Sequence, residues 1–142
     1  MKIGNSVGLI LISALLLCTA ACSIMKKNIV KNTRWQSEYK VFVADAGTED
    51  VTVTLNFVSG KDYVLETRGV MPDHPAMYMN EDGTVPVLPG GSREASTRGT
   101  YSVDKDKVIL TEEDGTVHTL YYVNGNLHSP DLSFEPLVFT KQ

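Results

Sequence analysis

Between Thr100 and Leu127 the chain reads TYSVDKDKVILTEEDGTVHTLYYVNGNL, three short β-type runs divided by turn chemistry. Tyr101-Ser-Val103 precedes Asp-Lys-Asp-Lys, Val108 to Thr111 precedes Glu113-Asp-Gly115, and Val117 to Val123 precedes Asn124-Gly125-Asn126. Asp-Gly and Asn-Gly supply the positive φ angles that tight hairpins need, and runs of β-branched and aromatic residues between them form the strands. The stretch therefore predicts a meander, each strand beside the one before it.

Upstream, Arg34 to Val43 alternates, with Trp35, Tyr39, Val41 and Val43 on one face and Gln36, Glu38 and Lys40 on the other. Val51, Val53, Leu55 and Phe57 alternate with Thr52, Thr54 and Asn56. Ser59-Gly-Lys-Asp62 turns that strand back into Tyr63, Leu65 and Thr67. Period-two alternation is the pattern of a strand with one buried face. Downstream, Leu127 to Ser129 and Leu132 to Thr140 extend the series, with Leu137 and Phe139 pointing inward. Strand centres at Trp35, Val51, Tyr63, Tyr101, Ile109, Tyr121, Leu127 and Leu137 make seven or eight strands, and no segment after residue 21 keeps a helical apolar spacing. The fold class is all-β: an antiparallel meander closing into an up-and-down barrel of about eight strands, which removes exposed edges. A barrel of this size is filled by side chains or holds one small ligand.

Residues 71–97 interrupt the alternation with Pro72, Pro75, Pro86 and Pro89 and with Gly83, Gly90 and Gly91. A loop this long is uncommon unless it is functional or folds locally. Ala76 to Asn80 and Thr84 to Leu88 flank Glu81-Asp-Gly83 as a small hairpin, with Pro86 confined to an edge or bulge.

The N-terminus has a different character. Val7 to Ala21 is an uncharged, Leu- and Ala-rich run behind Lys2, shorter than the roughly 20 residues that span a bilayer. This is the layout of a secretory signal over residues 1–21. The chain's two cysteines are Cys18 and Cys22. Ala20-Ala21-Cys22 resembles the lipobox of bacterial lipoproteins, with Thr19 where Leu is more usual. The resemblance implies cleavage before Cys22 and its lipidation, giving a membrane tether through an N-terminal lipid anchor. The competing reading is cleavage after Ala21 that leaves a free thiol. Residues 22–33, with Lys26, Lys27 and Lys31, then read as the lipidated N-terminus and a solvated tether. Ser23 favours the outer membrane under the enterobacterial sorting rule.

The domain at 34–142, with its insert at 71–97, resembles the small lipocalin-like lipoproteins of Bacteroidetes cell envelopes. The resemblance rests on Trp35, on TLNF-SGKDY (Thr54 to Tyr63), on GTYSVDKDKVILT (Gly99 to Thr111), on YYVNGNL (Tyr121 to Leu127) and on LVFTKQ (Leu137 to Gln142). It implies a lipocalin-like barrel at the bacterial cell envelope, and it carries no catalytic residues over to this chain.

Chemistry is sparse. The histidines are His74, His118 and His128, none spaced as a metal-binding pair. No Gly-x-Ser-x-Gly elbow exists, and Gly90-Gly91 lacks the lysine and helix of a phosphate loop. Glu112-Glu113-Asp114 fits turn chemistry. Lys2 is the only charge before Cys22, so the remainder has 12 basic against 17 acidic residues, a net −5 that argues against nucleic acid. The expectation is a non-enzyme with no cofactor and no metal. Two functions remain. Trp35, Tyr63, Tyr101 and Tyr121 could line a barrel interior holding a small apolar or amphipathic ligand, or simply fill the core. Alternatively, Met71, Met77, Tyr78 and Met79 in the insert could present a surface to another envelope protein.

Overall fold

A computed structural model describes residues 28–44 and 46–142. The expected signal peptide, Cys18 and Cys22 lie outside the described residues. The strands are β1 (Arg34–Val43), β2 (Gly47–Phe57), β3 (Asp62–Met71), β4 (His74–Pro75), β5 (Val87–Leu88), β6 (Gly91–Asp104), β7 (Lys107–Glu112), β8 (Val117–Val123), β9 (Asn126–Ser129) and β10 (Leu137–Lys141). Eight of them close into an antiparallel barrel in the order β1-β10-β9-β8-β7-β6-β3-β2, and β4 and β5 form a separate two-stranded ribbon. Apart from that ribbon, inserted between β3 and β6, each strand neighbours the next in sequence, as a meander requires.

The turns carry the register. Asn124 (φ 50°) and Gly125 (φ 87°) both take positive φ between β8 and β9, the signature of the tight hairpin turn whose twist matches its strands. Alternation then sets the faces. Val51, Val53, Leu55 and Phe57 of β2 are buried, as are Leu137 and Phe139 of β10. They join Trp35, Tyr63, Tyr101, Val108, Leu110, Leu120 and Leu127 in one apolar cluster that fills the barrel.

The barrel is uneven in height. β1 pairs with β2 along its whole length, from Arg34↔Asn56 to Val43↔Gly47, but with β10 only at Trp35 and Gln36. β6 pairs with β3 from Thr100 up to Gly91, but with β7 only from Gly99 to Asp104. Strands β1, β2, β3 and β6 therefore continue past the closed ring as a four-stranded apron. The apron's end is the open end of the barrel, and the insert hairpin leaves from it.

Three sequence expectations need correction. Residues 28–33 are not a solvated tether. Val30 is fully buried in the core cluster, Asn28 Nδ2 donates to the Tyr101 hydroxyl at 2.9 Å, and Trp35 Nε1 donates to Thr33 Oγ1 at 2.7 Å. This segment stoppers the closed end, because the apolar ring there would otherwise meet water. The insert is shorter than 71–97, since Met71 ends β3 and residues 91–97 belong to β6. Those residues are polar on both faces, so no alternation marks them; their strand conformation comes from pairing with β3. Tyr121 does not face the interior. Leu120 is buried, so Tyr122, two residues on, points inward and meets Trp35 edge-on at 6.3 Å between centroids. Tyr121 points outward and takes the Lys107 ammonium over its ring at 5.7 Å. The expected small hairpin does form within the insert: His74 pairs with Leu88 and Pro75 with Val87, Ala76 N donates to Pro86 O at 2.8 Å, and Asn80 N donates to Thr84 O at 2.8 Å.

Candidate functional site at the barrel mouth

The four aromatic residues singled out in the sequence meet different fates. Trp35 and Tyr101 are structural. The Tyr101 hydroxyl donates to Ser59 O at 2.7 Å and accepts from Asn28, and its ring meets Phe57 edge-on at 4.7 Å. Tyr121 lies outside. Tyr63 is the exception. It is 1% exposed, and its hydroxyl oxygen is buried with no hydrogen-bond partner. Such a group costs about 1–3 kcal/mol relative to a satisfied one.

Register shows which residues lie level with this ring across the sheet. Tyr63 lies opposite Gly99 of β6, and Gly99 lies opposite Glu112 of β7. A Cβ at Gly99 would come within 2.9 Å of Tyr63 Cε1, so the ring crosses β6 only because this position is glycine. Burial pushes the Tyr63 phenol up to about 12, and the charges of Glu112 and Asp114 add to the shift. The hydroxyl thus stays protonated and lies within electrostatic reach of the acidic end of β7.

A polar group has gathered there. Glu112 continues the inward face of Val108 and Leu110, and His118 continues that of Leu120. His118 Nε2 and Glu112 Oε1 lie 3.1 Å apart, with both side chains mostly buried. On the other side of the ring, His118 Nδ1 is 3.8 Å from Asp131 Oδ1. Ser129 Oγ donates to the same Asp131 oxygen at 3.3 Å and accepts from Leu132 N at 3.3 Å, which ties the β9–β10 loop to this wall. Half-buried Tyr39, Val41, Leu65 and Leu132 pack over the core beside it. The mouth therefore joins an apolar floor to one buried phenol and the Glu112–His118 pair, with the half-exposed Asp131 carboxylate 3.8 Å from the imidazole.

Chemically, this set can orient a polar head group. Ser129 is bonded to Asp131 rather than to His118, and among the described residues no group of three or more His, Cys, Asp or Glu is placed to hold a metal. His74 sits in the insert against Pro72 O, and Asp73 accepts from Gly90 N at 2.7 Å, so both serve the ribbon's base.

His118, Glu112 and Asp131 were missed as a group in the sequence. The available signal was parity: Glu112 is two residues from Leu110, and His118 two from Leu120, so both inherit the inward face. Asp131 carries no such mark. A depression of about 450 Å³ lies on the outer face among Gln36, Thr54, Glu66, Arg68, Glu94 and Ser96. Its walls are polar, from buried Thr54 to exposed Arg68 and Glu94, which lie 3.6 Å apart.

Neither a family model, nor a curated protein, nor a solved structure matches this chain.

Proposed function

We propose that this protein is a non-catalytic lipoprotein of the bacterial cell envelope, anchored through Cys22, that binds a small amphipathic ligand at the open mouth of its barrel. The observation that carries the reading is the buried, unpartnered Tyr63 hydroxyl, on a strand register that runs through Gly99 to Glu112. A ligand's polar head would take that hydrogen bond, and its apolar part would lie on Tyr39, Val41, Leu65 and Leu132. A few convergent polar groups beside apolar surface are the usual anatomy of a small-molecule site. The filled lower barrel limits the ligand to the mouth. The resemblance to lipocalin-like envelope lipoproteins supports the location, as does the lipobox-like end of the apolar N-terminal run.

Native mass spectrometry of protein purified from its source tests this. A co-purifying small molecule is expected from wild type and lost from Tyr63→Phe, while the variant keeps its fold. Retention of the same molecule by Tyr63→Phe would remove the site. Radioactive palmitate tests the anchor, with incorporation expected in wild type and lost in Cys22→Ser.

A second reading has its own observation. Met77, Tyr78 and Met79 at the tip of the insert hairpin are 78%, 60% and 65% exposed, and adaptable Met and Tyr contacts suit a protein partner. The hairpin leaves the open end, whereas Asn28 enters at the closed end. Six residues from Cys22 to Asn28 reach at most about 20 Å, so a lipid at Cys22 would leave the tip facing away from the membrane. Co-purification of a protein that is lost when Met77, Tyr78 and Met79 are replaced by Ser would favour this reading.

A further inference from the structure

We propose that the closed end of the barrel is a docking face for an anionic phospholipid surface, on which the domain stands with its mouth turned away. The inference rests on the lipid anchor proposed at Cys22 and adds the orientation of the folded domain. The two ends of the barrel differ in charge. The open end is formed by residues 44–46, 72–90, 113–116 and 130–136, which include no Lys or Arg. They carry carboxylates, among them Asp73, Glu81, Asp82, Glu113, Asp114 and Glu135. At the closed end, Lys31 precedes β1, Lys61 lies in the β2–β3 turn, Lys105 lies in the β6–β7 turn, Lys107 opens β7 and Lys141 ends β10. All five are exposed, and they are five of the six lysines among the described residues. The sixth, Lys40 on the apron, pairs with Asp50 at 2.9 Å; among the described residues no carboxylate pairs with the other five.

Backbone contacts gather these lysines on one face. Asn28 Nδ2 donates to Gly60 O at 3.4 Å, which sets the Lys31 segment against the Lys61 turn. Tyr101 N donates to Lys61 O at 2.7 Å and Tyr122 N to Asp106 O at 2.6 Å, which fixes both turns to the ring. Asp104 and Asp106 offset Lys105 and Lys107 in part, and Asp62 accepts from Ser59 Oγ at 2.7 Å. The excess charge therefore sits on Lys31, Lys61 and Lys141. Ile29, Val58 and Val123 are exposed at the same end, apolar side chains that a head-group region accepts. The chain leading into this face names its occupant. Lys26 and Lys27 lie on the six-residue span from Cys22 to Asn28, whose reach of about 20 Å keeps the face beside the bilayer that holds the acyl chains. An acyl anchor joined to a basic patch is a two-part attachment, and anionic head groups attract Lys within a Debye length of the surface. The acidic open end is repelled by the same surface.

The acylated chain reconstituted in vesicles tests this. A fluorophore is placed at Gly60→Cys, where an added Cβ meets nothing within 4 Å, or at Glu81→Cys on the insert, and nitroxide on the lipid head groups quenches whichever label touches the surface. With one-third phosphatidylglycerol in phosphatidylcholine, the label at residue 60 should be quenched and the label at 81 spared. Pure phosphatidylcholine, or 0.5 M NaCl, should relieve the quenching while the protein stays attached. Lys31→Glu with Lys61→Glu should shift the balance toward release by roughly fivefold or more per lysine, with urea unfolding unchanged; Glu113→Gln should leave it as it is. Equal quenching on neutral and anionic vesicles overturns the proposal, as does a label at residue 60 that is never quenched on an attached protein, or quenching at 81 instead. Palmitate incorporation reads the anchor separately: an unacylated chain that still meets anionic vesicles at residue 60 would refute the anchor and keep this face.

Discussion

Arg93 of β6 clasps Glu49 of β2 across the glycine of the strand between them. Nε and Nη2 of Arg93 each donate to a different carboxylate oxygen at 2.7 Å, and Gly69 of β3 lies beneath the pair. The Glu49 side chain is 6% exposed and that of Arg93 69%, so the carboxylate is buried and the guanidinium covers it. This clasp stiffens the apron, which has no β7–β10 strands to close it.

Gly69 is the position that permits the clasp. A Cβ there would collide with Glu49 Oε1 and lie 3.0 Å from Arg93 Nε. Gly69→Ala is expected to destabilise by roughly 1–3 kcal/mol, the range for forced displacement of packed side chains. In urea unfolding, Gly69→Ala combined with Glu49→Ala should cost less than the sum of the single changes, because the two share one contact.

The same pair predicts an acid response. The hydrogen bond from Arg93 holds the Glu49 carboxyl below its usual 4.5, and burial opposes that shift only in part. A carboxyl with a depressed folded value adds stability that is present above the unfolded value and lost as pH falls through the folded one. Wild type should therefore lose more stability than Glu49→Gln as pH drops below about 4.5. Thermal melts of the two proteins at descending pH would show converging Tm values, and parallel curves would contradict the assignment.

Tyr63 predicts the alkaline response. Its phenol is raised from 10.0 to about 12, so the folded state holds a proton that the unfolded chain releases first. That contribution is complete below about pH 10 and disappears as pH rises toward 12. Tyr63→Phe should remove most of this loss, leaving the smaller part from Tyr101, whose phenol burial also raises. At neutral pH the variant should be as stable as wild type or up to about 1 kcal/mol more stable, because an unsatisfied buried hydroxyl is gone. A variant that gains stability while losing its ligand would separate binding from folding at this residue.

Tyr121 and Tyr122 are adjacent and opposite in consequence. Tyr122→Ala should cost roughly 1–3 kcal/mol, since its half-buried ring packs on Trp35. Tyr121→Ala should stay within about 1 kcal/mol, the scale of a surface cation–π contact. Equal costs by denaturant titration would place both rings differently from the structure described.

The architecture was readable because β-sheet information is local. The alternation in Val51 to Phe57, the Asn124-Gly125 turn and the inward pair Leu137 and Phe139 each name a strand, a turn or a face without reference to distant residues. The insert's hairpin was visible for the same reason. Two of the misreadings share a cause: Ser92 to Thr97 and Asn28 to Thr33 are polar or mixed segments whose conformation is imposed by a neighbour, β3 for one and the barrel's closed end for the other. Tyr121 was misplaced because Tyr121-Tyr122 offers two aromatic residues, and only the position of Leu120 decides which one turns inward.

By itself, then, the sequence determined an antiparallel meander of about eight strands, its turns, and most of the residues that fill it, since periodicity and turn chemistry act between residues close in the chain. The tertiary structure decided the rest. It left Tyr63 without a partner, drew His118 to Glu112 and Asp131, set Arg93 over Glu49, and exposed one edge of β6. Each of these depends on which strand stops short beside which, a matter of register around a closed ring that no local pattern encodes.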